Sequence, residues 1–157
     1  MRIDLDHKRS MDRAGILDLL ARAEVGHMAT VDASGKPYVV PVHFAFEGEH
    51  IYFHGLSRGK KLDHIRSNPA VCFETYELLK IGLNEKNPCD SWTYYRSVIA
   101  TGPARILDSR EDKTRGLKLL NKKYFKGPVE EMSPATIDGT CVIEMAVDTI
   151  SGKHHEE

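Results

Sequence analysis

The clearest chemical signal in the sequence is a run of cations within residues 57–61. The run reads Ser-Arg-Gly-Lys-Lys and places Arg58, Lys60 and Lys61 at the start of a predicted short helix. The helix dipole is already positive there, so each cation costs about 0.3–1 kcal/mol unless an anion binds beside it. Free backbone N–H groups and the small Gly59 let an anion come close. The run therefore predicts an anion site, with an exposed basic turn as the alternative.

Three histidines form the second chemical signal. His27, His43 and His54 lie in or at the ends of three successive predicted strands, which can bring them to one opening of a barrel. None of them is paired at the two- or four-residue spacing that places two ligands on one face of a strand or helix, so we predict no metal site. An imidazole at a strand end can also donate a proton near neutral pH.

Apolar residues recur at spacings that predict a mainly β fold with a few helices. Helices are expected over residues 11–24, 57–68 and from the capping box at 109–112 onward, and strands over 25–31, 38–46, 51–55, 70–78, 91–107 and 140–150. Hairpin turns and short links favour antiparallel pairing, because parallel strands need longer crossovers. The expected architecture is an antiparallel β-barrel with helices outside it, in a single domain over residues 1–157.

Two prolines mark places where a strand is interrupted or lies at an edge. The expected strand over 38–46 is apolar on both faces, so we predict that both faces are covered. Pro41 lies within it and cannot donate to a ladder, which predicts an edge, a bulge or a barrel opening. The pair Gly102-Pro103 predicts a bulge or bend in the long strand over 91–107.

Composition limits the partners of the chain. The 157 residues carry a net charge of −1 at pH 7, so no overall field attracts nucleic acid or an anionic membrane. No apolar stretch is long enough to span a bilayer, and three cysteines without metal-site spacing predict free thiols in a reducing cytoplasm. The polar residues 1–9 and 152–157 predict a loose arm and a solvated tail. We therefore expect a cytoplasmic protein that binds neither nucleic acid nor membranes.

Six segments, taken in order, resemble one protein family. The first three are similar to the flavin-binding segments of the pyridoxamine 5′-phosphate oxidase-like split-barrel family, and the last three narrow the resemblance to the branch with the nitroimidazole-resistance proteins. These segments are Gly26–Val31, Pro41–Phe44, Ile51–Leu62, Ile65–Phe73, Trp92–Gly102 and Val147–Lys153. The resemblance extends over about residues 10–153 and depends on the order and spacing of the segments rather than on one motif.

The resemblance implies a six-stranded antiparallel split barrel that forms a homodimer and binds FMN at two equivalent sites between the subunits. In such a site Arg58, Lys60 and Lys61 hold the FMN phosphate, while Trp92 reaches the flavin of the other subunit. The positions that match the family's flavin contacts are Val42, His43, Phe44, Phe53, His54, Gly55, Arg58, Gly59, Lys60, Lys61, Trp92, Ser97 and Val98.

The resemblance also implies an FMN-dependent reductase that passes electrons from a reduced nicotinamide nucleotide to small electrophilic acceptors such as nitroaromatics and nitroimidazoles. His54 matches a histidine beside the flavin in the nitroimidazole reductases, and an imidazole pKa of about 6.5 suits a proton donor. The alternative role for His54 is to position the phosphate turn only.

Other functions stay open at this point. A carrier or sensor that binds flavin or haem without turnover is the main alternative, and related barrels also hold a deazaflavin. Oxidation of pyridoxamine phosphate is disfavoured, because Pro41 stands where those oxidases have an arginine and no Trp or Arg follows Ser151.

Overall fold

Strands make up most of the regular structure, as the apolar spacing predicts. The structure, a computed structural model, describes residues 1–4, 8–125 and 131–156. The strands are β1 Arg2–Asp4, β2 Gly26–Val31, β3 Pro37–Val42, β4 Phe44–Glu47, β5 His50–Gly55, β6 Ala70–Gly82, β7 Trp92–Ile106, β8 Cys141–Ala146 and β9 Thr149–His155. The helices are α1 Arg13–Arg22, α2 Lys60–Ser67, α3 Arg110–Tyr124 and α4 Pro134–Gly139, with a 3₁₀ turn at Pro88–Asp90.

The strands form a barrel because the chain connects its two sheets at two places. These places are within β7 and between β3 and β4. Hydrogen-bonded neighbours follow the order β3-β2-β6-β7-β8-β5-β4, and β9 pairs with the other edge of β7. β7 pairs with β6 as far as Pro103 and with β8 from Ala104 onward. β3 and β4 are separated only by His43, where the chain passes from one sheet to the other. The predicted antiparallel split barrel with flanking helices is confirmed.

The barrel interior is filled by aromatic and aliphatic side chains that anchor the strands near His43. The rings of Phe44 and Phe53 both contact Phe73, with centroid distances of 4.7 and 5.8 Å, and all three are fully buried. Burying such a side chain stabilises the fold by about 1.5–3 kcal/mol. Two elements of the candidate site, β4 and β5, are therefore held at Phe44 and Phe53.

Helix α1 closes one side of the barrel, and helix α3 lies over a second apolar cluster. Ile16, Leu19 and Leu20 are buried on one face of α1, and the Asp12 carboxylate caps its start by accepting from the Gly15 N–H at 2.8 Å. Ser109 caps α3 as the sequence predicts, accepting from the Asp112 N–H at 3.1 Å. No helix in the described ranges is long and apolar enough to cross a membrane.

Both ends of the chain are more ordered than the sequence predicts. β1 pairs in parallel with β9, through Arg2↔Thr149 in register, although residues 1–9 were expected to be loose. β9 continues to His155, and the Glu156 carboxylate binds the Arg96 guanidinium, so the expected tail over 152–157 is wrong as far as residue 156. An edge strand gains stability when its free backbone groups are paired, and β9 provides this pairing for β7. Residues 5–7 and 157 lie outside the described residues.

The expected strand over 140–150 is two strands, β8 and β9, which belong to different sheets. They separate after Ala146, at the point where β7 changes sheet beside them. The backbones of Gly102 and Ala146 are so close there that a Cβ on Gly102 would lie 1.9 Å from the Ala146 carbonyl oxygen. The predicted bend at Gly102-Pro103 is thus the place where β7 changes sheet, without a bulge, and the register shift between β6 and β7 lies at Leu78/Lys80 instead. Helix α4 was not predicted, although Ser133 caps it.

The expected strand over 38–46 forms two strands, β3 and β4, and the predictions for its edge and its burial agree with the structure only in part. Pro41 lies in β3, an edge strand at one end of the sheet order, which confirms the prediction of an edge. Phe44 and Ala45 of β4 are both buried, so β4 is covered on both faces. Within one chain only the inner face of β3 is covered, because Val39 on its outer face is 60% exposed. Nine strands in the described part replace the expected six, since 38–46 and 140–150 are each divided and β1 is added.

Candidate functional site

The basic run forms the start of α2, as predicted, and this start has no side-chain cap in the described structure. Gly59 is the N-cap residue and has a φ of +129°, a conformation that L side chains rarely adopt. Its carbonyl accepts from the Leu62 N–H at 2.9 Å, while buried Leu62 and Ile65 fix the helix against the barrel. A helix start without a side-chain cap leaves N–H groups that an anion can bind.

The two lysines of the run point to different places. The Lys61 Nζ lies 3.0 Å from the position that a Cβ on Gly55 would take, so Lys61 reaches back over the end of β5. The Lys60 Nζ lies 5.6 Å from the centroid of the Tyr38 ring on β3. Arg58 is exposed in the turn before Gly59. The structure therefore places Lys61 beside His54 and Lys60 on the other side of the helix start.

No carboxylate of the described residues forms an ion pair with Arg58, Lys60 or Lys61. Asp63, the acidic residue in the first turn of α2, pairs instead with Arg66 at 3.1 Å. Three cations without an internal counter-ion at a helix start make the local potential strongly positive. The arrangement fits a dianionic ligand such as a phosphate monoester, which accepts hydrogen bonds from several cations at once.

His43 and His54 lie side by side beyond the buried phenylalanines. The β4–β5 register pairs Phe44 with Phe53, which brings the preceding His43 and the following His54 together. Their ring centroids are 6.4 Å apart. Desolvation by the surrounding protein, followed by electrostatic interactions with His43 and Lys61, lowers the pKa of His54 below its usual value of 6.5. The neutral form of His54 is therefore favoured in the flavin-free chain.

The remaining predicted flavin contacts divide into buried and distant residues. The side chains of Val42, Phe44, Phe53 and Val98 are buried in the core, so any contact that they make with a ligand goes through their backbone. Ser97 lies on β7 opposite Tyr76 and Lys153, and Trp92 lies across Gly82 at the far end of the β6–β7 ribbon. Within the described part of one chain, Trp92 has a ring contact with Tyr94 and none with His43 or His54.

The structure does not bring the three predicted histidines together. The His27 Nδ1 pairs with the Glu74 carboxylate at 3.0 Å on the outer face of the sheet, away from the other two. Instead the ring of Tyr124, at the end of α3, lies 4.6 Å from the His43 ring. Sequence reasoning missed Tyr124 at this site because 81 positions separate it from His43 and no local pattern connects them.

The fold and the basic helix start beside His54 are those of the flavin-binding class of split-barrel proteins. The sequence profile described as pyridoxamine 5′-phosphate oxidase matches residues 12–154, so the chain belongs to the pyridoxamine 5′-phosphate oxidase family. No curated protein sequence matches the chain significantly.

Solved structures share the same fold. A candidate 5-nitroimidazole antibiotic resistance protein from Bacteroides thetaiotaomicron is 24% identical, with a TM-score of 0.79 over 92% of this chain and 86% of that chain. A FAD- and haem-binding protein from Mycobacterium smegmatis is 20% identical, with a TM-score of 0.85 over 96% and 75%. An F420 reductase is 27% identical, with a TM-score of 0.56 over 87% and 95%.

Proposed function

We propose that this chain is an FMN-dependent reductase of small electrophilic acceptors such as nitroaromatic compounds. The observation that carries the proposal is the approach of the Lys61 ammonium to Gly55, beside His54 and beneath a helix start without a side-chain cap. FMN ends in a single phosphate monoester, the group that this arrangement fits. Membership of a flavin-binding family and the fold shared with a candidate nitroimidazole-resistance protein support the same conclusion.

Three parts of the chain would hold FMN. Arg58, Lys61 and the first N–H groups of α2 would bind the phosphate, and Lys60 would add charge from the far side of the helix. The strand end at His54 and Gly55 would lie along the ribityl chain. The His43 bend, the point between Val42 of β3 and Phe44 of β4 where the chain changes sheet, would lie along the isoalloxazine. When bound, FMN supplies electron transfer to the acceptor, while the protein orients it and controls access.

His54 is the residue that we propose as proton donor. Reduction of a nitro group consumes protons, and a positioned acid with a pKa near the working pH transfers them efficiently. Desolvation, and after it His43 and Lys61, lower the pKa of His54 and so disfavour its charged form in the flavin-free chain. A phosphate bound at Lys61 would offset the charge of this lysine and raise the protonated fraction, so the cofactor itself would prepare His54 for its role.

Oxidation of pyridoxamine phosphate is not the activity that we propose, although the family carries that name. Pro41 lies on β3 next to the bend, at the position where the resemblance places an arginine in those oxidases. Proline has no charge with which to bind a phosphorylated substrate.

We also infer that two copies of the chain form a homodimer across the outer face of the β3–β2–β6–β7–β9 sheet. One row of this face, in register across five strands and without a charged side chain, runs through Val39, Ala29, Cys72, Thr101 and Thr149. In the next row Ile99 is 45% exposed and lies opposite Glu74, whose carboxylate pairs with His27. Exposed sheet faces in monomers usually carry polar residues at alternate positions, so this face is suited to burial against a second copy.

Val39→Glu is expected to prevent dimerisation, because it places a charge on an exposed apolar part of a surface that loses water on association. Size-exclusion chromatography with light scattering should show a dimer for the parent chain and a monomer for the variant. FMN affinity should fall in parallel if the site is completed by the second subunit. Ala135→Glu, at an exposed position of α4, is the matched control and should remain dimeric. A parent chain that binds FMN as a monomer contradicts this inference.

Anaerobic redox titration tests the reductase proposal. Adding NADH or NADPH to the FMN-loaded protein should remove the yellow absorbance of oxidised flavin with at least one donor, and a nitroimidazole should restore it. Bound flavin that neither donor reduces would favour the carrier or sensor function instead.

We also propose that the protein is cytoplasmic. Its three cysteines are free thiols, which fit a reducing compartment.

A further inference from the structure

Tyr124, the last residue of α3, contacts the His43 bend in two ways. Its ring centroid lies 4.6 Å from that of His43, with 31° between the ring planes. Its hydroxyl accepts a hydrogen bond from the Phe44 N–H at 2.9 Å, and it lies within donating distance of the carbonyl oxygens of Phe44, at 3.0 Å, and Glu24, at 2.8 Å. One side chain therefore contacts both the imidazole and the backbone at the bend.

The bend needs such a partner because the strand ladder is interrupted there. β3 leaves β2 after the pair Gly26↔Val42, and β4 joins β5 at the pair Phe44↔Phe53. Among the described strands β4 pairs only with β5, so one edge of β4 has no neighbouring strand. Buried backbone groups require hydrogen-bonding partners. The Tyr124 hydroxyl accepts from the Phe44 N–H where a neighbouring strand would otherwise do so, and its single proton is shared between the carbonyl oxygens of Phe44 and Glu24.

Lys123 reinforces the same junction from the preceding position. Its Nζ donates to the Leu20 carbonyl oxygen at 2.8 Å and lies 3.4 Å from the centroid of the Phe44 ring. The carbonyl groups at a helix end and the face of an aromatic ring both attract a cation. Helix α3 therefore ends in two consecutive side chains that connect the last turn of α1 to the bend.

We propose that Tyr124 is a positioning residue for the flavin, which fixes the His43 imidazole and the Phe44 backbone before the cofactor binds. This inference rests on the proposed function, because it requires the bend to lie against the isoalloxazine. The contacts continue from Tyr124 through His43 to His54, whose ring is 6.4 Å from that of His43. A bend that is ordered in advance loses less entropy on binding, so the hydroxyl contributes to affinity without touching the flavin.

Two substitutions separate the hydroxyl from the ring. Tyr124→Phe keeps the ring and removes the hydroxyl, and we expect it to raise the Kd for FMN about tenfold. Tyr124→Leu removes both, and it should also shift the His43 imidazole resonance in NMR spectra of the flavin-free protein, which Tyr124→Phe should leave in place. Tyr52→Phe is the matched control, because it removes the hydroxyl of a different tyrosine, one that is buried and interacts with Glu144. It should lower the melting temperature without changing the Kd.

Each result of these experiments supports or overturns the positioning role of Tyr124. A Tyr124→Phe variant that melts earlier but binds FMN with the affinity of the parent would show a structural role only and overturn the proposal. An unmoved His43 resonance in Tyr124→Leu would contradict the ring contact. If the parent chain itself binds no FMN, the proposed function fails and this inference fails with it. If the parent binds FMN and Tyr124→Phe binds it equally well, this inference alone is rejected.

Discussion

His54→Ala is expected to retain FMN and to slow reoxidation of the reduced flavin by a nitroimidazole about 10²–10⁴-fold. That range is the usual contribution of a positioned acid or base. The expectation follows from the place of His54 at the end of β5, beside His43 and within the influence of Lys61. Stopped-flow absorbance on one preparation should measure both the flavin occupancy and the reoxidation rate.

The pH dependence of the same rate provides an internal check. The pKa of His54 lies below its usual value of 6.5 in the flavin-free chain, first through desolvation and then through His43 and Lys61. A step that needs protonated His54 should therefore accelerate as the pH falls through that lowered pKa and level off below it. Bound phosphate should move this profile to higher pH, and His54→Ala should abolish it.

His50→Ala is the control for His54, since His50 begins the same strand. It should leave both the rate and the pH profile unchanged. If His54→Ala reoxidises at the rate of the parent per bound flavin, His54 has no part in the mechanism. A loss of FMN affinity with unchanged activity per flavin would show that His54 positions the phosphate turn instead.

Replacing both Lys60 and Lys61 with alanine is expected to weaken FMN binding at least tenfold while leaving riboflavin binding nearly unchanged. Hydrogen bonds to charged groups contribute about 1.5–3 kcal/mol each, and tenfold corresponds to about 1.4 kcal/mol. Riboflavin lacks the phosphate, so it does not need these cations. Calorimetric titration of the two ligands into the flavin-free protein measures the difference.

The single variants refine this expectation. Lys61→Ala should account for most of the loss, because the Lys61 Nζ reaches Gly55 while Lys60 points towards Tyr38. Lys118→Ala removes an exposed lysine from α3 and should leave both affinities unchanged. Equal losses for FMN and riboflavin in the double variant would mean that the turn supports the fold rather than the phosphate.

The parts of the site that depend on local chemistry could be predicted from the sequence. The basic helix start with Gly59 follows from residues that are close together in the chain, and so does the Ser109 cap of α3. The strand that carries His54 was predicted with nearly correct bounds, because its apolar residues lie close together in the chain. The division of the expected strand over 38–46 at His43 was not predicted.

The parts that depend on distant contacts could not be predicted. The Tyr124–His43 contact and the pairing of β1 with β9 join residues that are far apart in the sequence, where local periodicity carries no information. The direction of Lys60 is also a tertiary result, since it depends on where β3 places Tyr38. The sequence around a strand histidine does not show whether its side chain faces a ligand or, like that of His27, pairs with a glutamate on the neighbouring strand of the sheet.

The most direct test of the central claim is titration of the flavin-free chain with FMN, followed by visible absorbance and flavin fluorescence. The arrangement of Lys61, Gly55 and His54 predicts saturable binding of one FMN per chain, with a yellow protein that keeps its flavin through gel filtration. FMN whose fluorescence and absorbance stay those of the free cofactor at every protein concentration would contradict the claim.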